Sequence, residues 1–458
     1  MEHSVTRRSL LSGALAATQL SLTAAPAQAE KPNVLVILFD DLGVHDQGYL
    51  GASDLKTPHI DRLAASGTVC RNWYSNAPVC APARAALLTG RCPLRAGVPN
   101  NGMPLRPSEI TLASALRGAG YTTGLTGKWH LGSTPETVPN AHGFDYFYGF
   151  HEGCVDYFSH RFYWGEPKIA NFHDLWRNRD EIFEDGQYLT ERIGQEASSF
   201  ISRTPPGRPF FLYTALNAVH YPMHAPAKYV NQFSNLERER QMYAAMLSAA
   251  DDAIGEILAA LDRTSRRNQT LIFILGDNGA TTERRAGLSN QPATAGRNTP
   301  FRGFKFSTFD GGMHVPALVN WPGHIPGSQT NTQILMTADI FPTVCRVAGV
   351  PIPPDRTLDG RDIWPVLTAG ANSPHDYVAW SEGPQLAIRQ GPWKLVLNGV
   401  THDGTPEGNK PLTGDDAAFL SNVVEDPGES RNLRHQYPAV ADQLQSLLQK
   451  WRQSVEAN

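Results

Sequence analysis

The chain has 458 residues, 41% of them apolar and 18% charged, with a formal charge of −4. That is globular composition, and mild acidity without a clustered Lys/Arg stripe excludes a nucleic-acid partner. Single cores stop growing near ~250 residues, so this length predicts a core with an appended subdomain.

The N-terminus reads Thr6-Arg7-Arg8-Ser9-Leu10-Leu11, then a weakly apolar run, then Ala27-Gln28-Ala29. A twin arginine, an apolar centre and an A-x-A site read as a Tat-type signal peptide over residues 1–29. This predicts handling by the Tat export machinery and a periplasmic or secreted protein. No later apolar run approaches ~20 residues, so no membrane span is expected. Export permits disulfides, but the five cysteines (Cys70, Cys80, Cys92, Cys154 and Cys345) leave at least one unpaired within a monomer.

Residues 33–39, NVLVILF, form a continuous apolar run that closes on Asp40-Asp41. Such a run reads as a strand buried on both faces of a parallel sheet. Similar runs at 209–216 and 271–275 lead into His220 and Asp277-Asn278. Helical patterns lie between them at 110–119, 188–201 and 243–261, the last with a 3.6-residue apolar period. Strands alternating with helices predict an α/β fold, a mostly parallel sheet with helices on both faces. Groups that follow the strands would then converge at their carboxyl ends.

After Leu367 the texture changes. Short alternating runs at 377–380, 386–389 and 393–397 read as antiparallel strands. Val440, Leu444, Leu447, Leu448 and Trp451 mark the apolar face of a terminal helix. These predict a smaller α+β subdomain over 371–458 behind a catalytic domain over 31–370.

Asp40-Asp41 and Asp277-Asn278 offer only oxygen ligands, which suit Ca²⁺ or Mg²⁺. Clustered carboxylates raise one another's pKa, and a divalent cation relieves that cost. The competing reading for either pair alone is a cap on the next helix. It loses force because both pairs close a strand. Cys80 stands just ahead of a predicted helix, ARAALL. The helix N-terminus and Arg84 favour an anion there and predict an activated thiolate; a structural or disulfide-bonded cysteine is the alternative.

Cys80-Ala81-Pro82-Ala83-Arg84, running on to Thr89-Gly90-Arg91, resembles the C-x-P-x-R signature of the type I, formylglycine-dependent sulfatases. The likeness continues at Gly127-Lys128-Trp129-His130-Leu131-Gly132, Ala218-Val219-His220-Tyr221-Pro222, Gly276-Asp277-Asn278-Gly279 and Arg302-Gly303-Phe304-Lys305. These motifs keep the family's order from about residue 31 to 451.

The resemblance implies an alkaline-phosphatase-like fold and a sulfuric ester hydrolase acting on a sulfated glycan or small aryl molecule. It implies that a formylglycine-generating maturation enzyme converts Cys80. One hydroxyl of the hydrated aldehyde would attack sulfur and the other would expel sulfate. The ligands implied for Ca²⁺, or Mg²⁺, are Asp40, Asp41, Asp277 and Asn278, with residue 80. Arg84 would orient residue 80, Lys128 and Lys305 would hold sulfate oxygens, His130 would act as base, and His220 would protonate the leaving oxygen.

The sequence departs from the family at Ala83, where a serine is usual. Asp310 and His314 stand where the family often has Glu and Arg, which leaves the role of that arginine open. Aromatics between Tyr146 and Trp176 suit either a substrate wall or ordinary packing. Two alternative functions are a phosphonate or phosphate monoester hydrolase of the same superfamily and a non-catalytic sulfated-glycan-binding protein.

Overall fold

In the computed structural model, which describes residues 1–3, 31–163, 171–289 and 291–456, the first apolar run forms β1 (Asn33–Phe39), buried throughout. The signal peptide expected at 1–29 lies, beyond residue 3, outside the described residues. Further strands are β2 (Thr68–Tyr74), β3 (Thr122–Lys128), β4 (Tyr146–Phe150), β5 (Trp176–Arg177) and β6 (Asp180–Glu181). They continue with β7 (Phe210–Ala215), β8 (Thr270–Gly276), β9 (Ala317–Asn320) and β10 (Gln329–Met336).

These ten strands form one sheet in the order β10-β2-β9-β8-β1-β7-β3-β4-β5-β6. The central block β8-β1-β7-β3-β4 is parallel. β9 runs antiparallel between β2 and β8, and β5 and β6 form an antiparallel edge. The α/β expectation therefore holds, with a mixed sheet.

Alternate residues of β1 serve opposite faces, as a period of two requires. Leu35, Ile37 and Phe39 join the core built with helices Pro58–Ser66, Leu189–Arg203 and Arg238–Arg263. Val34, Val36 and Leu38 join the core built with helices Cys80–Thr89, Leu112–Gly118 and Ile340–Ala348. Each fully buried aliphatic side chain contributes about 1.5–3 kcal/mol, so two dry faces anchor β1 as the rigid centre of the fold.

A second, antiparallel sheet contains β11 (Val378–Glu382), β12 (Gln385–Gln390), β13 (Trp393–Leu397) and β14 (Ala418–Asn422). Leu444 and Leu448 of helix Pro438–Glu456 cover one face through Ile388, Leu395 and Leu420. The other face packs Val378, Trp380 and Val396 against Tyr74, Phe309 and Met313.

A buried polar cluster crosses that junction. Lys394 Nζ lies 2.6 Å from Asp310 Oδ1 and 3.2 Å from Glu429 Oε1. Tyr74 donates its hydroxyl to Asp310 Oδ2 at 2.7 Å, and Arg389 donates to the Tyr74 oxygen. His314 packs edge-on to Phe301 and against Tyr74, with ring centroids 4.1 and 4.9 Å apart. Asp310 and His314 thus serve the joint between the two sheets.

Among the described residues no helix is long and apolar enough to cross a membrane. All five cysteines are free and buried.

Candidate active site

Four neighbouring parallel strands, β8, β1, β7 and β3, end at one edge of the sheet. Phe39 is in register with Gly276, so Asp40 and Asp277 emerge side by side. His220 follows β7, Lys128 is the last residue of β3, and His130 comes two residues later. Asp41 and His130 both adopt the left-handed region at φ 58, where the chain turns away from the sheet. The Asp41 amide donates to Asp277 Oδ1 at 3.1 Å, tying the two strand ends together.

Helix Cys80–Thr89 is buried along its whole length and presents Cys80 to this edge. Cys80 Sγ lies 3.4 Å from Asp40 Oδ1 and 4.0 Å from Asp41 Oδ1. Burial holds the thiol well above its usual pKa; Lys128 and Lys305 oppose the shift, while Asp40 and Asp277 reinforce it. Burial thus disfavours the thiolate form that the helix start and Arg84 would favour. One turn along the helix, Arg84 pairs with carboxylates. Arg84 Nη2 sits 2.7 Å from Asp277 Oδ2 and 3.6 Å from Asp40 Oδ1.

Two lysines complete the charge pattern. Lys128 Nζ is 2.6 Å from Asp40 Oδ2, and Lys305 Nζ is 3.0 Å from Asp41 Oδ2. For Asp40, burial raises the pKa, but Lys128 and Arg84 hold it well below the usual carboxylate value. Asp41 is pushed up to about 7 by burial; Lys305 opposes this, and Asp40 and Asp277 add to it.

His220 has a defined tautomer. Its Nδ1 lies 2.8 Å from the Tyr221 carbonyl oxygen and must donate the proton there. Nε2 is left as the acceptor facing Lys305 Nζ at 3.3 Å. Burial, partly offset by Asp40, brings the imidazole pKa down to about 3, so the ring is neutral. His130 is likewise held neutral by burial, with Lys128 and Arg84 adding to the effect. Gly153 leaves space for the His130 ring: a Cβ there would stand 2.7 Å from Nε2.

The donor set fits a hard divalent cation. Asp40, Asp41, Cys80 and His220 each place a ligand-type atom within 4.8 Å of the others. Asn278 donates its amide to Asp41 Oδ1 at 2.7 Å and to the Gly279 carbonyl at 2.9 Å. Its own Oδ1 is buried without a hydrogen-bond partner, which is costly for an amide oxygen unless a cation meets it. Asp277 adjoins this group through Arg84 and the Asp41 amide.

The structure therefore brings Asp40, Asp41, Cys80, Arg84, Lys128, His220, Asp277, Asn278 and Lys305 into one contact network, with His130 beside it. Sequence reading missed Glu283, whose Oε2 is 3.3 Å from Lys305 Nζ. It lies in the polar run Thr281–Arg285, which carries no motif and reads as a solvated loop. The aromatic stretch divides. Phe147, Tyr148, Phe150 and Tyr157 are core residues, and the Tyr157 hydroxyl lies 2.7 Å from the Asn217 and His220 carbonyls, bracing the His220 turn. Phe162 and Phe172 stack at 5.1 Å, with Phe172 exposed. Trp164 lies outside the described residues.

Residues 32–350 match the family described as Sulfatase. N-acetylgalactosamine-6-sulfatase of Sus scrofa is 34% identical over 402 residues, covering 83% of this chain and 74% of that protein. Arylsulfatase J of Mus musculus is 30% identical over 477 residues, covering 94% and 77%. The solved structure of Ps i-CgsB in complex with k-i-k-neocarrahexaose superposes with a TM-score of 0.80 at 30% identity, covering 92% of both chains. Taken with the assembled site, these likenesses place the chain in the sulfatase family, as an enzyme that hydrolyses sulfate monoesters.

Proposed function

We propose that the enzyme removes sulfate from a carbohydrate, using formylglycine made from Cys80 by a maturation enzyme and a divalent cation, Ca²⁺ or Mg²⁺. The observation that carries this reading is the convergence of Cys80, a buried oxygen-donor cluster and two buried lysines at one sheet edge. A carbohydrate is favoured because one relative is named for N-acetylgalactosamine 6-sulfate and one structural neighbour was solved in complex with k-i-k-neocarrahexaose. We assign catalysis to residues 31–370 and a supporting role to residues 371–458. The Arg7-Arg8 leader supports export through the Tat machinery to the periplasm or beyond.

Asp40, Asp41, Asp277 and Asn278 would hold the cation. When bound, the cation offsets the carboxylate charge and polarises an oxygen, while the hydrated aldehyde supplies a second hydroxyl for release of sulfate. Arg84 fixes Asp277 and Asp40 and keeps the acidic edge in register. Lys128 and Lys305 present ammonium groups to the sulfate oxygens, where charge shifts during transfer. His130, neutral, takes a proton from residue 80. His220 carries its proton on Nδ1 and accepts from Lys305 at Nε2, so the proton for the leaving oxygen would come from the Lys305 ammonium, which the Nε2 lone pair orients.

Mass spectrometry of the Cys80 peptide from active protein is the direct test, with aldehyde as the expected species. A wholly unmodified thiol in active enzyme would overturn the mechanism, as would full activity in Cys80→Ala. A panel of sulfated sugars and aryl sulfates, with phosphate esters alongside, tests the substrate class. Preferential phosphate release would replace this reading with the phosphomonoester one.

A further inference from the structure

Lys305 reaches the active site from a loop, and three groups surround its ammonium. Asp41 Oδ2 is 3.0 Å away, His220 Nε2 3.3 Å and Glu283 Oε2 3.3 Å. The first two belong to the site. Glu283 does not, yet it is largely buried beside it, with a side chain 14% exposed. Its second oxygen, Oε1, meets Arg285 Nη2 at 2.7 Å, and the Thr281 hydroxyl lies 3.3 Å from Oε2. The Arg285 guanidinium in turn lies over the Tyr221 ring, 5.3 Å from its centroid, and Tyr221 packs on His220.

We propose that Glu283 is a positioning residue for Lys305. Held at one oxygen by Arg285, it sets the Lys305 ammonium between His220 and the sulfate-binding edge. This rests on the reading of Lys305 as a sulfate-holding group. A lysine has four rotatable bonds and a compact charge, so a single carboxylate partner leaves it free to fold onto that partner. With Asp41 alone, Lys305 would collapse onto a carboxylate assigned to the cation. A second carboxylate, 3.3 Å from the ammonium, shares it with Asp41 and holds it off the cation ligand. Burial disfavours the Glu283 anion, but Lys305 and Arg285 outweigh this and hold its pKa down to about 2, so the anchor is charged throughout the working range.

The test is a double-mutant cycle on the matured enzyme, with Glu283→Gln, Lys305→Met and the pair, read as kcat and KM for sulfate release. Thermal melts report whether each variant folds. Glu283→Gln is expected to lower kcat/KM about tenfold in the wild-type background and to have no effect once Lys305 is gone. Arg285→Gln, which loosens Glu283 without touching Lys305, should show a smaller loss of the same kind. Equal losses for Glu283→Gln in both backgrounds would mark a merely structural role and overturn the proposal, as would unchanged kinetics in Glu283→Gln. Full activity in Lys305→Met would instead overturn the underlying reading of Lys305, and the proposal with it.

Discussion

Arg84 Nη2 and Asp277 Oδ2 meet at 2.7 Å with both side chains fully buried, so the arginine beside the key cysteine is bound to a carboxylate. Replacing one partner of such a pair leaves the other charged and without compensation in the interior. Arg84→Met should therefore destabilise the fold by about 3–5 kcal/mol. Denaturant unfolding of the two proteins measures this, and a loss below about 1 kcal/mol would show that the carboxylates are compensated otherwise.

The orphaned Asn278 Oδ1 gives a metal prediction that needs no substrate. A chelator should lower the melting temperature and Ca²⁺ or Mg²⁺ should restore it, since a ligand at a hundredfold excess over its Kd stabilises by about 2.7 kcal/mol. Asn278→Leu removes the amide oxygen and should abolish most of this shift. A melting curve indifferent to chelator and cation in the wild-type protein would count against the site.

Gly153 makes a sharper test of His130 than removal of the histidine. A methyl group at 153 would press on the imidazole at 2.7 Å and displace it while leaving its chemistry intact. Gly153→Ala is expected to lower kcat by about 10–100-fold, because small misplacements at a reacting centre are costly. The melting temperature should change little. Unaltered kcat would mean that the ring has room to move or no part in turnover.

Lys394 joins Asp310 to Glu429 across the two sheets. Lys394→Met should destabilise the protein by about 3 kcal/mol, as two buried carboxylates lose their shared cation. Adding Glu429→Gln removes one of those charges and should restore part of the loss. Calorimetry of the single and double variants would decide, and an additional loss in the double variant would contradict this account.

The legible parts of the molecule were those where chemistry and pattern coincide. β1, β7 and β8 are continuous apolar runs, and the polar residues after them stand out against that background. Their convergence depended on strand order, which no local pattern carries. β2 and β3 escaped notice because their sequences, TVCRNWY and TTGLTGK, mix polar residues into buried strands. Thr126, for example, is buried because its hydroxyl pairs with Thr214 at 3.1 Å on the neighbouring strand. β14, AFLSN, is buried at four successive positions and so carries no alternation to read. Glu283 looked like one more loop charge, since only the fold brings it to Lys305. The pairing of Arg84 with Asp277 was hidden likewise, since 193 positions separate them in sequence and only the fold joins them.

The helix that begins at Cys80 has no exposed residue along its length. A catalyst that modifies the thiol needs the surrounding peptide in its own cleft, and the finished fold offers no such access. The conversion of Cys80 proposed above would therefore have to precede closure of the sheet around it. On that proposal, the lifetime of the unfolded nascent chain would set the yield of active enzyme. A variant that folds faster would leave a larger fraction permanently inert, although every atom of its site were in place.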